Sequence, residues 1–222
     1  MFKNLKSASF NNLTKLVSGT VVAQAIPILA MPILTRIFDP QAFGVLSVFV
    51  GLAGVAAIGS SLRYELAIPQ VEDDPSARNV FVLCLLIIVG FSLLLLGLVF
   101  LSNNHLYALL KLQDSSGVGL LYLLILSIFC SGLIQAAIFK SIRLSEFSSI
   151  AFGKIIVTGG YVFCQLLFGA IAMPAGLVFG YVMGQFLGAV YFLQKSIPWL
   201  PSKHNRFEFS EILTIGKEYK SL

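Results

Sequence analysis

Six long runs of apolar residues, almost free of charge, constrain this 222-residue chain more than any other feature. Each run is about twenty residues long, and a helix of that length crosses the ~30 Å hydrocarbon core of a bilayer. We place the runs at 16–37, 42–62, 80–101, 119–139, 151–171 and 175–194, with a polar tail over 195–222. The sequence therefore predicts an all-α, polytopic membrane protein with a bundle of six transmembrane helices, of which the first two form a hairpin.

The charged residues indicate how this bundle is oriented. Only 11% of the residues are charged, against roughly a quarter in soluble proteins. All lysines and arginines except Arg36 and Lys111 fall on one side of the predicted spans, and basic loops stay in the cytoplasm. Both termini are therefore expected to be cytoplasmic. The net charge of +5 does not predict nucleic-acid binding, because the basic residues form no stripe interleaved with exposed aromatic residues.

Two prolines interrupt the first run. Pro27 and Pro32 lack an amide hydrogen, which leaves the carbonyls of Ala23 and Ile28 without their helical donors. Residues at steps of three and four place a polar face beside them, namely Thr20, Gln24, Pro27, Met31 and Thr35. The prolines predict either a cavity wall with a hinge or a kink that neighbouring helices absorb.

Small residues predict close helix packing. The sixth run has a glycine at every fourth position, Gly176, Gly180, Gly184 and Gly188. Such a stripe lets another helix approach closely, either within the bundle or, as the alternative, from a second copy of the chain. The second run has a looser stripe of Gly44, Ser47, Gly51, Gly54 and Ser61.

Polar residues within the apolar runs predict a hydrophilic cavity. They lie on the fourth run at Ser127, Ser131 and Gln135, on the fifth at Lys154, Thr158, Tyr161 and Gln165, and on the sixth at Tyr181 and Gln185. Polar groups in a span usually face a cavity or the bundle interior. The alternative is that they only form hydrogen bonds between helices.

Three cations lie nearest the hydrocarbon and are candidates for binding an anionic head group. They are Arg63, Lys154 and Arg36. Arginine offers a planar fork and lysine a mobile charge to phosphate oxygens. The alternative is that they anchor the helices at the interface, and Arg36 could also pair with Asp39.

Residues for catalysis or metal binding are missing from the sequence. No carboxylate lies deep in a predicted span, so no proton or sodium relay is expected. The two histidines, His105 and His204, lie in separate loops, and the three cysteines lack metal-ligand spacing. We therefore expect no enzyme activity, catalytic residue, metal or cofactor. Asp73 or Asp74 is expected to start the third helix.

Two segments carry a family resemblance. LTRIFDPQAFG at 34–44 and GSSLRYELAIP at 59–69 resemble the start of bacterial polysaccharide biosynthesis membrane proteins. These are the O-antigen and capsule flippases of the multidrug, oligosaccharidyl-lipid and polysaccharide exporter superfamily, and the resemblance covers all six runs. Arg36 and Gly44 match the first motif, and Arg63 and Glu65 match the second.

The resemblance implies a transporter in which two six-helix lobes face a cationic cavity. Such a protein moves undecaprenyl-diphosphate-linked saccharides across the inner membrane by alternating access. The chain corresponds to the N-terminal lobe and is not expected to flip lipid alone. Implied partners are the lipid-linked oligosaccharide, membrane lipids, a C-terminal lobe, a polysaccharide polymerase and glycosyltransferases. The alternatives are a multidrug or small-molecule exporter of the same fold, and a noncatalytic membrane subunit of a polysaccharide synthesis complex.

Overall fold

The computed structural model describes residues 2–71, 73–101, 115–173 and 175–200, with side chains over 14–71, 73–101, 119–173 and 175–200. Its helices are α1 (Phe2–Ile37), α2 (Pro40–Ser60), α3 (Asp74–Leu101), α4 (Ser115–Arg143), α5 (Phe147–Ala170) and α6 (Gly176–Ser196), with 3₁₀ turns at Tyr64–Ala67 and Ile197–Trp199. Within these residues the protein is all-helical, and all six helices are long and apolar enough to span a membrane. The predicted fold class is confirmed at this level.

Several helices extend beyond the predicted apolar runs. Helix α3 begins at Asp74 rather than at residue 80, and α4 continues to Arg143 rather than ending at residue 139. The predicted tail begins inside α6, while 201–222, His105 and Lys111 lie outside the described residues. Hydropathy marks only the part of a helix that suits hydrocarbon, whereas hydrogen bonding continues the helix into polar surroundings.

Asp73 caps the start of α3. Its Oδ2 accepts a hydrogen bond from the Ser76 amide at 2.8 Å, which satisfies one of the free N–H groups of the first turn. Hydrogen bonds from the Ser76 side chain and amide hold the pKa of the Asp73 carboxyl below its usual value. Of the two candidates from the sequence, Asp73 is therefore the capping residue.

We expect Asp73→Ala to lower the melting temperature slightly at pH 7, because the cap is lost. A carboxyl whose pKa is lower in the folded protein stabilises it above the unfolded pKa. That stability disappears as pH falls through the folded pKa, so the difference between wild type and Asp73→Ala should shrink below about pH 4. Asp73→Asn keeps a capping oxygen without a titrating group, so its difference from Asp73→Ala should not depend on pH. Thermal unfolding between pH 3 and 7 measures both differences.

The helices are not packed in sequence order. The largest interface joins α5 and α6, α1 packs on α5, and α4 packs on α6 and supports α2 and α3. Helices α1 and α2 share no extended interface. They come together at an apolar cluster near their corner, where Leu34 and Phe38 lie with Phe43 and Leu46. The expected hairpin is therefore splayed, and its two helices separate away from the corner.

The glycine stripe of α6 lies against α5. A Cβ atom at any of Gly176, Gly180, Gly184 and Gly188 would fall within 3 Å of atoms outside α6, most of them on α5. Only a hydrogen at these positions allows the two backbones to approach so closely. The stripe is therefore occupied inside the bundle. On α2, by contrast, a Cβ atom at Gly44, Gly51 or Gly54 would meet nothing within 4 Å.

Four helices are tied together at one end of the bundle, which we call the basic end. Arg143 of α4 pairs with Asp74 of α3 at 2.9 Å and donates to the Ile68 carbonyl at 3.0 Å. Lys140, also on α4, pairs with Glu146 at 3.0 Å and donates to the Lys195 carbonyl of α6 at 3.3 Å. These contacts place the start of α3, the end of α4, the start of α5 and the end of α6 together.

The charge distribution predicts that the basic end faces the cytoplasm. In a background with Cys84, Cys130 and Cys164 replaced by alanine, a cysteine introduced as Ser76→Cys should react with a membrane-impermeant maleimide only after the cells are permeabilised. A cysteine at the opposite end, introduced as Gln41→Cys, should react in intact cells. The reverse pattern would contradict this orientation.

Candidate functional site

A cavity of about 270 Å³ lies toward the basic end of the bundle, between α1, α4, α5 and α6. It is lined by Thr20, Ala23, Gln24, Ile134, Lys154, Val157, Thr158, Gln185 and Phe192. Four of the predicted site residues meet here, namely Gln24, Lys154, Thr158 and Gln185. They come from three helices that are distant in sequence, so only the folded bundle brings them together.

Lys154 is the cation of the cavity. It lies two helical turns from the start of α5, about 10 Å along the axis. Its Nζ donates a hydrogen bond to Thr20 Oγ1 of α1 at 3.2 Å. Neither of the two ion pairs among the described residues includes Lys154. A lysine ammonium has three N–H donors, so donors besides the one bonded to Thr20 can contact a ligand.

The two cavity threonines turn their hydrogens away from a ligand. Thr20 donates its hydroxyl hydrogen to the Leu16 carbonyl at 2.8 Å, and Thr158 donates to the Lys154 carbonyl at 3.0 Å. Such bonds to the preceding turn are common for threonine in helices. Each hydroxyl oxygen still has lone pairs, so both threonines offer the cavity acceptors rather than donors.

Pro27 removes the helical donor of a carbonyl at a residue of the same wall. Helix α1 runs without interruption through Pro27, which has no N–H for the carbonyl four residues earlier. That carbonyl belongs to Ala23, which lines the cavity. The second proline leaves the carbonyl of Ile28 in the same state, but the Ile28 side chain is exposed on the outside of α1.

Gln185 is fixed by a tyrosine one turn away. Its Nε2 donates to the Tyr181 hydroxyl at 3.0 Å, which leaves the amide oxygen as an acceptor. The Tyr181 ring lies 6.0 Å from the ring of Tyr161, measured between centroids. Both tyrosines lie one turn beyond the cavity lining, and they are half-buried.

The other predicted site residues lie apart from the cavity. Arg63 is exposed in the connection after α2 with a left-handed φ of 65°, and Arg36 is exposed at the end opposite the basic end. Gln135 is exposed on α4. Gln165 is buried and donates to the Leu177 carbonyl at 3.0 Å, so it links α5 to α6. Pro32 lies on the exposed face of α1.

One buried acid was missed by the sequence analysis. Glu65 is only 3% exposed and accepts a hydrogen bond from the buried Ser61 hydroxyl. The connection after α2 folds back against α3 and α4 and buries Ile68 completely. Glu65 lies outside the spans, in the loop where the sequence placed it, but its burial there was not predicted. The sequence feature that could have indicated this burial is the apolar segment after Glu65, which consists of Leu66, Ala67 and Ile68.

The apolar lining of the cavity also escaped prediction. Ile134, Val157 and Phe192 close its walls, and Phe192 packs against Gly153, where a Cβ atom would lie 2.2 Å from the Phe192 ring. Apolar residues in apolar helices do not reveal which of them surround a cavity. No group of side chains in the described part of the chain could hold a metal ion.

Comparisons with models of known protein families, with curated proteins and with solved structures find no match. The candidate site therefore rests on the chemistry of its own residues.

Proposed function

We propose that this chain is a lobe of a transporter that flips a lipid-linked saccharide, carried on a polyisoprenyl diphosphate, across the bacterial inner membrane during O-antigen or capsule synthesis. The observation that carries the proposal is the cation Lys154 in a polar cavity between the apolar helices, where neither of the ion pairs found among the described residues includes it. An isolated charge among such helices is costly and usually marks a substrate path. A phosphate on the substrate would neutralise it.

The shape of the bundle supports a lipid-attached substrate. Helices α1 and α2 separate from their corner, and the cavity lies against α1 toward the open end of this gap. A head group could occupy the polar cavity while its chain stays in the surrounding hydrocarbon. A closed six-helix cylinder would not offer this arrangement.

The lining favours an anion over a cationic drug. Among the described residues that line the cavity, one is basic and none is acidic. An exporter of organic cations would need a carboxylate or an aromatic cage at this position. The buried Glu65 belongs to a different part of the bundle and is not among the lining residues.

Binding of the lipid by the purified chain in nanodiscs tests the proposal. Native mass spectrometry should detect a one-to-one complex with undecaprenyl diphosphate, whereas undecaprenol, which has the same chain without phosphate, should bind no better than bulk phospholipid. Equal binding of the two lipids would contradict the proposal. Preferential binding of a lipophilic cation would favour the drug-exporter alternative.

A further inference from the structure

A second cationic site lies at the basic end of the bundle, apart from the cavity. Arg78 on α3 places its guanidinium over the indole ring of Trp199, just after α6, with Cζ 5.9 Å from the ring centroid. Trp199 is itself held by Phe81, and the centroids of these two rings are 5.6 Å apart. Contact with an aromatic face orients an arginine without using its hydrogen-bond donors. The guanidinium is therefore positioned by its face rather than by its N–H groups.

The donors of this pair have no acceptor in the described part of the chain. Neither the Arg78 guanidinium nor the Trp199 indole N–H forms a hydrogen bond there, and Arg78 belongs to neither ion pair. Arg143 on the neighbouring α4 differs, since Asp74 and the Ile68 carbonyl accept its hydrogen bonds. Of the donor nitrogens in the pair only Nε of Arg78 is closed off from the surroundings. Both Nη groups and the indole N–H therefore remain reachable for an anion.

The pair lies where the surface of a bilayer would meet the bundle. Arg78 is in the second turn of α3, two residues before the apolar run that begins at residue 80. Tryptophan and arginine are both favoured at this depth. Farther along the same side of α3 the side chains are apolar and exposed, at Leu86, Val89 and Leu93. An acyl chain can lie along them while its phosphate reaches Arg78.

We propose that Arg78 and Trp199 form a binding site for the phosphate of an anionic glycerophospholipid, with an acyl chain along the exposed side of α3. The cavity at Lys154 includes neither residue, so this site does not depend on the proposed function. A zwitterionic phospholipid carries the same phosphate, but its ammonium group cancels the charge, so the arginine favours an anionic head group. A soluble phosphate would contact Arg78 without any of the apolar contacts.

The fluorescence of Trp199 reports on this site alone, because Trp199 is the only tryptophan in the sequence. The chain is reconstituted in phosphatidylcholine bilayers that contain either phosphatidylglycerol or phosphatidylcholine brominated on the upper part of the acyl chains, since bromine quenches a nearby indole. The ratio of the two quenching efficiencies gives the preference for the anionic lipid and cancels any shift in the position of Trp199. Wild type should show a preference of about three- to tenfold, the usual effect of one basic residue near an anionic head group.

Two arginine substitutions separate a specific site from general attraction to the basic end. Arg78→Gln should abolish the preference. Arg63→Gln is the matched control, because it removes the same charge from an exposed arginine in the connection that leads to α3, and it should keep the wild-type preference. Glycerol 3-phosphate at millimolar concentration, a soluble ligand with a similar phosphate, should leave the quenching by brominated phosphatidylglycerol unchanged.

Each contrary outcome overturns the site. A wild-type chain without a preference would do so before any variant is made. A preference that survives Arg78→Gln, or that falls equally in Arg63→Gln, would show that only the net charge of the basic end attracts the lipid. Relief of the quenching by glycerol 3-phosphate would assign Arg78 to a soluble phosphate instead of a lipid. None of these results bears on the binding of undecaprenyl diphosphate, so the proposed function can stand or fall separately.

Discussion

Replacing Lys154 with glutamine should lower the affinity for undecaprenyl diphosphate by roughly ten- to a hundredfold. Among the described residues that line the cavity Lys154 is the one cation, and hydrogen bonds to charged groups contribute about 1.5–3 kcal/mol each. Glutamine removes the charge and keeps a polar side chain that is one bond shorter. Lys154→Glu should reduce binding further, because its carboxylate repels the diphosphate.

The matched control for this prediction is Lys195→Gln. Lys195 is exposed at the basic end of α6 and does not line the cavity. It removes the same charge from the same end of the bundle, so it reports the general attraction of the anionic lipid to the surface. Equal losses in the two variants would show that Lys154 acts only through net charge. Thermal unfolding of each variant checks that the bundle remains folded.

Replacing Gly184 with alanine should destabilise the bundle by about 1–3 kcal/mol, the usual cost of overpacking. A Cβ atom at position 184 would lie 2.5 Å from the Tyr161 amide nitrogen and 2.7 Å from the Val157 carbonyl oxygen. Both are backbone atoms, which cannot rotate away as a flexible side chain can. Helices α5 and α6 would have to separate along their shared interface, so Gly184→Val should cost more.

Gly51→Ala on α2 is the control for Gly184→Ala. A Cβ atom there meets nothing within 4 Å, and alanine favours a helix by about 1 kcal/mol over glycine. This variant should be neutral or slightly more stable. Chemical or thermal unfolding in the same detergent compares the two substitutions. Equal stability of Gly184→Ala and wild type would contradict the close packing of α5 and α6.

Periodicity and hydropathy predicted much of the fold. Nearly charge-free runs about as long as the bilayer is thick predicted the six helices, and the four-residue spacing of Gly176 to Gly188 placed those glycines on one face. Neither pattern identifies which helix packs against the glycine face of α6. That α5 contacts the stripe, and that α1 and α2 are splayed, depends on tertiary packing between segments distant in sequence.

The candidate site was predictable where a polar residue is unusual. Gln24, Lys154, Thr158 and Gln185 are conspicuous in apolar helices, and all four line the cavity. Arg63, Arg36 and Gln165 are equally conspicuous, yet they lie at surfaces or in an interhelical bond. Composition reports that a polar group needs a partner or water, but it does not report which one the fold provides.

Glu65 shows most clearly what a local sequence pattern cannot predict. Its neighbours Arg63 and Tyr64 mark it as part of a polar connection, and hydropathy places such a connection in water. The chain instead folds back so that Glu65 and Ile68 are buried against α3 and α4. A local pattern cannot predict this, because the burial depends on the space that the ends of three helices leave.

The central claim is that the cavity beside Lys154 holds the phosphate end of a polyisoprenyl diphosphate. Alkylation of a cysteine introduced as Thr158→Cys, in nanodiscs and with the three native cysteines replaced by alanine, tests this most directly. Undecaprenyl diphosphate should slow the reaction at position 158 at least several-fold, undecaprenol should not, and a cysteine introduced as Gln70→Cys on the exposed loop should react at the same rate throughout. An unchanged rate at position 158 under saturating diphosphate lipid would contradict the claim.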